Sequence, residues 1–203
     1  MRIAIGLPST DSMYTDSVIS LLRLVMSTKE HEITVINQQG CYIDKSRNVI
    51  VMEAMKFKAD YLLFLDSDME IPPDTIRRLL AHNKDIIGCN YMRRKPPFSP
   101  IAIDKDKKNI EFGRKGIESV NIVPTGVLLI NMDIFSCMRY PWFDCEWRDG
   151  IQYGEDTRFC AKTILGGVSE IWCDHDLSAE INHIGVFKYN LSQTEGMVLN
   201  EGN

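Results

Sequence analysis

Two carboxylates separated by one residue, Asp66 and Asp68, stand directly after the apolar run Tyr61–Leu65. Carboxylate oxygens suit Mn²⁺ or Mg²⁺. These ions are commonly held by one or two protein carboxylates, with substrate phosphates and water completing the octahedron. A short apolar run bounded by polar residues reads as a strand buried on both faces, and in open parallel sheets ligands collect beyond the carboxyl ends of the strands. The chemistry implied is the binding of a metal-bound diphosphate. The plainer alternative is a pair of turn or helix-capping aspartates ahead of Pro72-Pro73-Asp74.

Asp-x-Asp occurs three times in the chain, so context must separate the copies. Asp104-Lys105-Asp106 begins a mixed-charge run and reads as a solvated turn. Asp174-His175-Asp176 follows a strand-like segment, 169–173, and is the stronger rival.

Other residues of the right chemistry lie elsewhere. Gly154-Glu155-Asp156 opens a helical pattern, where the helix dipole favours negative charge. Glu155 or Asp156 is either an ordinary first-turn acid or a general base for an attacking hydroxyl. His183, in Asn182-His183-Ile184-Gly185, offers an imidazole as a third metal ligand beside the two aspartates. Asp44-Lys45-Ser46-Arg47-Asn48 sits at another helix start, with an arginine suited to bidentate contacts with phosphate. Arg93-Arg94-Lys95 is either surface charge or a lining for a donor pocket.

The elements that must position these groups follow from periodicity. Residues 2–7 read as a buried strand, 16–26 as a helix and 33–36 as a second strand. Residues 46–57 read as a helix capped by Asp44 or Ser46, leading into the Tyr61–Leu65 strand. Strand-helix-strand-helix-strand order predicts an α/β fold, Rossmann-like, with a mixed, mostly parallel central sheet flanked by helices. Further on, a helix to about 81, strands at 85–89 and 127–130, a short helix near 133–138 and a loop over 140–153 are expected. Glu155–Leu165 reads as a helix stopped by Gly166-Gly167.

With 203 residues and 44% hydrophobic content, the chain suits one domain, 1–203: a nucleotide-sugar-binding half (1–95), an acceptor half (96–190) and a tail (191–203). A net charge of −5 argues against a nucleic-acid partner held by backbone phosphates. Six cysteines without a C-x-x-C pair indicate neither a zinc ribbon nor a redox motif and fit reduced thiols in the cytoplasm. No apolar stretch approaches the length of a membrane span, and none resembles a signal peptide.

Together, residues 3–8, Ser46-Arg47-Asn48, Phe64-Leu65-Asp66-Ser67-Asp68, Pro124-Thr125-Gly126, Gly154-Glu155-Asp156 and His183-Ile184-Gly185 resemble a GT-A fold glycosyltransferase of the family 2 type. The resemblance runs from Arg2 to about Gly185. It implies a single GT-A-type domain that transfers a hexose from a nucleotide sugar, a UDP-hexose, to a saccharide or other hydroxyl acceptor, with Mn²⁺ or Mg²⁺ as cofactor. By position, Pro8, Ser9 and Asn37 would hold the nucleoside and Arg47 the base or diphosphate. Arg93 would face the donor, and Thr125 and Gly126 would lie near the donor sugar and acceptor. Asp66 would reach ribose or sugar, Asp68 the metal, and His183 would be the additional ligand, with Asp66 as a further metal contact. Asp156 matches the base position, with Glu155 as the alternative. Trp142, Phe143 and Trp147 would form an acceptor platform, or else pack back onto the core. The rivals are a haloacid dehalogenase-type phosphohydrolase, a sugar nucleotidyltransferase and a non-catalytic nucleotide-sugar-binding module. The dehalogenase type carries its aspartate pair on the first strand; here it follows the third. The Gly-rich, Arg-containing N-terminal loop of the nucleotidyltransferase is missing from Gly6-Leu7-Pro8-Ser9.

Overall fold

The computed structural model describes residues 1–94, 98–185 and 188–190, the last three through their backbone alone. The expected tail, 191–203, and Lys95 lie outside the described residues. Strand and helix alternate first as β1 (Arg2–Ser9), α1 (Thr15–Ser27), β2 (Glu32–Gln39), α2 (Ile43–Phe57) and β3 (Tyr61–Leu65). β4 (Met69–Glu70), α3 (Thr75–Ala81), β5 (Ile86–Gly88), β6 (Ile117–Val120), β7 (Val127–Asn131) and α4 (Asp133–Ser136) follow. The chain continues through β8 (Glu146–Arg148), β9 (Ile151–Tyr153), α5 (Glu155–Leu165), β10 (Ile171–Asp174), α6 (His175–Ser178), β11 (Asn182–Ile184) and β12 (Lys188–Asn190).

Seven strands form the central sheet in the order β2-β1-β3-β7-β5-β10-β6. β2, β1, β3, β5 and β10 run one way, and β7 and β6 run against them. The fold is α/β with a mixed, mostly parallel sheet, and strands from both halves of the chain share it. Both faces are covered, which explains the unbroken apolar runs of the central strands. On β3, Leu62 and Phe64 pack with Ile50, Val51 and Ala54 of α2, while Leu63 and Leu65 pack with Leu24 of α1 and Ile76 and Leu79 of α3. β7 repeats the alternation, with Leu128 and Ile130 on the first side and Val127 and Leu129 on the second.

Helix boundaries differ from expectation where capping was invoked. α2 begins at Ile43, with Tyr42 in extended backbone ahead of it and no side-chain cap. Asp44 therefore lies in the first turn and Ser46 is a buried interior residue rather than a cap. α5 spans Glu155–Leu165 as expected, and Gly167, at φ 62°, supplies the left-handed backbone beyond its end.

The segment expected to be a loop, 140–153, contains the β8–β9 hairpin. Its turn residues Asp149 and Gly150 have φ of 52° and 77°, the positive pair that a tight two-residue hairpin turn needs. Trp142 and Phe143 are buried in the α2-side core, where the Phe143 and Phe159 rings stack at 4.6 Å. Of the three expected platform aromatics, Trp147 alone is exposed, at 69%.

Asn48 fastens that segment to α2. Its amide nitrogen donates to the carbonyls of Asp44 (2.8 Å) and Phe143 (2.6 Å), and its oxygen accepts from the amides of Trp142 (3.0 Å) and Phe143 (3.2 Å). Removing it strands buried backbone groups without partners. Asn48→Ala is expected to cost about 2–3 kcal/mol, read as a fall of roughly 5–10 °C in thermal unfolding. A change within about 0.5 kcal/mol would show that the segment is held by its aromatics alone.

Candidate active site

Side chains alternate along a strand, so Asp66 continues the face of Leu62 and Phe64 towards α2. There it meets Arg47, a buried side chain of α2. Arg47 Nη2 donates to Asp66 Oδ1 at 2.9 Å and Oδ2 at 3.3 Å, and Nε donates to Glu155 Oε1 at 3.1 Å. The guanidinium carbon also lies 5.1 Å from the centre of the Phe64 ring. One cation thus joins α2, the end of β3 and the first turn of α5.

Electrostatics follow from burial and from this clamp. Burial works to lower the Arg47 pKa, but Asp66 and Glu155 outweigh it and hold the group firmly charged above its ordinary range. Burial pushes the Asp66 carboxyl up, Arg47 pulls it back and neighbouring Asp68 pushes again, leaving it raised. Glu155 is likewise raised, by burial first, against the pull of Arg47.

Asp68 has different surroundings. The short β4 begins at the next residue and pairs with β11, placing His183 opposite Met69, and the Ile184 amide donates to the Asp68 carbonyl at 2.7 Å. His183 Nε2 consequently lies 3.6 Å from Asp68 Oδ1, a buried atom without a hydrogen-bond partner among the described residues. His183 Nδ1 is 2.7 Å from the Met92 carbonyl. A carbonyl only accepts, so Nδ1 carries a proton, and in the neutral ring Nε2 presents its lone pair to Asp68. The ring packs edge-on against Tyr91 at 4.9 Å between centroids. The other Asp68 oxygen, Oδ2, pairs with Arg94 Nη1 at 3.0 Å. Burial works to raise Asp68, but His183 in its protonated form, together with Arg94, outweighs it and holds the carboxyl below its usual value.

With Nδ1 held by the Met92 carbonyl, the neutral ring turns its Nε2 lone pair towards Asp68 Oδ1, a donor pair that fits a bridging cation, and the fixed Nδ1 is the usual orienting contact of a histidine ligand. No group of three or more His, Cys, Asp or Glu side chains is gathered for a metal among the described residues. Asp68 and His183 could therefore supply two ligands, leaving the other positions to phosphate and water. Asp66, expected as a further metal contact, is paired with Arg47.

A cleft of about 430 Å³ opens beside these groups, beyond the carboxyl ends of β1 and β2. Pro8, Ser9, Asp66, Asp68 and Arg94 line it. Asn37 stands behind the rim, accepting from Ser9 Oγ at 2.7 Å. Gly126 backs the site: its carbonyl accepts from the Asp66 amide at 3.0 Å, and its amide donates to Tyr91 Oη at 2.9 Å. A Cβ at Gly126 would collide with the Tyr91 hydroxyl and come within 3.1 Å of Asp66 Oδ2, so glycine is required by close approach. Thr125 is buried beside it.

The expected residues are divided by this arrangement. Arg47, placed by resemblance against base or diphosphate, is buried between two carboxylates. Arg93 is exposed, and Arg94 is the arginine facing Asp68. Glu155 is engaged by Arg47. Asp156, partly exposed at the start of α5, accepts from the Thr157 amide at 2.6 Å. Tyr91 and Arg94 were not singled out from sequence. Tyr91 carried no local signal, and Arg94 was one of two adjacent arginines with nothing to separate them.

The two rival Asp-x-Asp copies serve local structure. Asp174 accepts from the Leu177 amide at the start of α6 and pairs with His82 at 3.0 Å. Asp104 accepts from the amides of Asp106 and Lys108 and pairs with Arg114 at 2.8 Å.

A family model described as Anp1 matches residues 19–108, from within α1 to the segment after β5. No curated protein matches the chain. Among solved structures, A197 from STIV is similar at 19% identity over 91% of this chain and 86% of that one, with a TM-score of 0.63. A glycosyltransferase involved in the glycosylation of the major capsid of PBCV-1 matches at 14% identity over 70% of this chain and 69% of that one, TM-score 0.38. The inositol-1-phosphate CTP transferase from T. maritima matches at 12% identity over 89% and 91%, TM-score 0.47. At 19% identity the likeness to A197 is one of fold, in keeping with the α/β, mostly parallel sheet described above. No helix among the described residues is long and apolar enough to cross a membrane.

The Arg47 clamp makes a stability prediction with a definite pH sign. Arg47→Met leaves Asp66 and Glu155 buried without their cation and is expected to cost about 3–5 kcal/mol at pH 7. Both carboxyls then rise further, so the folded state binds more protons than the unfolded chain. The contribution of these two carboxyls to the variant's stability is therefore greatest below the ordinary carboxylate range and is lost as pH rises through the raised values. Denaturant melts at pH 5 and pH 7 should show a smaller deficit at pH 5; an equal deficit at both would mean the carboxylates are not the source.

Proposed function

We propose that the protein is a metal-dependent glycosyltransferase that moves a hexose from a nucleotide sugar, a UDP-hexose, to an acceptor hydroxyl with inversion. The observation carrying this reading is the approach of His183 Nε2 to within 3.6 Å of Asp68 Oδ1, a buried atom with no hydrogen-bond partner among the described residues, on an aspartate that lines a cleft beyond the ends of β1 and β2. A bound Mn²⁺ or Mg²⁺ would neutralise charge developing on the diphosphate leaving group. Pro8 and Ser9 line the nucleoside end of the cleft, with Asn37 fixing the Ser9 hydroxyl. Asp66, oriented by Arg47, presents its remaining acceptor capacity to ribose or sugar hydroxyls. Asp156 takes the proton of the acceptor hydroxyl as that oxygen bonds to the anomeric carbon and the bond to the diphosphate breaks on the opposite face. Gly126 lets Tyr91 and Asp66 pack directly against its backbone, which fixes Asp66 for its contact with ribose or sugar.

The match to the Anp1 family model over the segment holding Arg47, Asp66, Asp68 and Arg94 supports the same reading. A phosphohydrolase using Asp66 as nucleophile is disfavoured, because the aspartate pair follows the third strand of the chain rather than the first.

Asp156→Asn is expected to lower transfer by about 10²–10⁴-fold while leaving UDP binding in Mn²⁺ within about twofold of the parent, read by coupled assay and calorimetry. If transfer survives, the base lies elsewhere and inversion loses its support. Asp68→Asn is expected to remove the metal dependence of UDP binding. Metal-independent UDP binding by the parent chain, or phosphatase activity without transfer, would contradict the proposal.

A further inference from the structure

Arg94 holds a position that the mechanism above leaves unexplained. Its Nη1 lies 3.0 Å from Asp68 Oδ2 and 3.3 Å from the Ile184 carbonyl, so one nitrogen touches both segments that carry the proposed metal donors. Its side chain is 39% exposed, against 15% for Asp68 and 12% for His183, and it lines the cleft. The guanidinium is thus the most exposed member of the group, a cation at the rim of an otherwise enclosed pair of donors.

Consider a divalent cation seated between Asp68 Oδ1 and His183 Nε2. The carboxylate supplies one negative charge, while the ion and the guanidinium together supply three positive ones within a few bond lengths. An arginine cannot relieve this by losing a proton, because its guanidinium stays charged in proteins. It can relieve it only by moving, and its partly exposed stem permits that. A diphosphate held by the same cation would offer the nearest new partner, since phosphate oxygens match the planar fork of a guanidinium better than a carboxylate already shared with a metal.

We infer that Arg94 is an exchangeable counter-ion, neutralising Asp68 before ligands bind and passing to the diphosphate when a divalent cation takes Asp68, so that metal and diphosphate bind as a coupled pair. This rests on the metal reading proposed above and adds to it the residue that couples the two ligands. Coupling of this kind is reciprocal: the nucleotide must strengthen the metal by the same factor as the metal strengthens the nucleotide.

The test is calorimetric titration with Mn²⁺ alone, UDP alone and UDP in saturating Mn²⁺, on the parent chain, Arg94→Ala, Arg94→Gln and Asp68→Asn. Arg94→Gln keeps a donor for the Ile184 carbonyl without the charge, and it serves if the alanine variant does not fold. Losing the competitor should tighten Mn²⁺ alone by about fivefold or more, while losing the phosphate contact should weaken UDP in Mn²⁺ by about tenfold, so the coupling factor collapses. These opposite changes in one variant are not produced by general damage to the site. If the charge-free variants bind Mn²⁺ no more tightly than the parent while Asp68→Asn abolishes binding, the exchange is wrong and the metal reading stands. If Mn²⁺ binds none of the proteins, or binds regardless of Asp68→Asn, the metal reading itself fails and the exchange falls with it.

Discussion

The site depends on one buried cation. Arg47 is enclosed between the sheet and α5, and burying a guanidinium is costly unless opposite charges and hydrogen bonds compensate for lost water. Asp66 and Glu155 supply both, from elements far apart in the chain: Arg47 and Glu155 are separated by 108 residues. The clamp therefore fixes α2 and α5 relative to the end of β3. It leaves one carboxylate in excess, which together with burial explains why Asp66 and Glu155 sit above their ordinary pKa.

The same clamp divides the labour of the two aspartates. Asp66 faces α2 by strand alternation and is captured there, whereas Asp68 lies beyond the strand end, where backbone pairing of β4 with β11 brings up His183. At the cleft wall the field is set by Asp66, Asp68 and Arg94, with His183 set against Asp68. Metal chemistry is proposed at this second pair and sugar recognition at the first, and the separation follows from which residue Arg47 can reach.

Much of this was legible in the sequence where local physics decides the outcome. The Tyr61–Leu65 strand, the extent of α5 and the order of the first strands follow from unbroken apolar runs, helical spacing and the Gly166-Gly167 stop. Contacts across the fold were not legible. Nothing near Arg47 signals that its partners are Asp66 and Glu155 rather than phosphate, because an arginine on the first turns of a helix has the same local sequence in either case. Tyr91 and Arg94 matter through side-chain contacts with Gly126 and with Asp68 and Ile184, distant in the chain, that no short motif encodes. The β8–β9 hairpin did carry a signal, the Asp149-Gly150 pair, but charged and aromatic neighbours obscured the alternation around it. Trp142 and Phe143 were ambiguous between platform and core, and Asn48, read as part of the helix start, draws them inward.

The most direct test of the proposed centre asks what touches the metal. Electron spin echo spectroscopy of Mn²⁺ with UDP and the protein should show nitrogen modulation from one imidazole. That modulation should vanish in His183→Gln, with the Mn²⁺ signal reverting to its aqueous form in Asp68→Asn. Bound Mn²⁺ with no nitrogen modulation, or with modulation that survives His183→Gln, would contradict a centre built on Asp68 and His183.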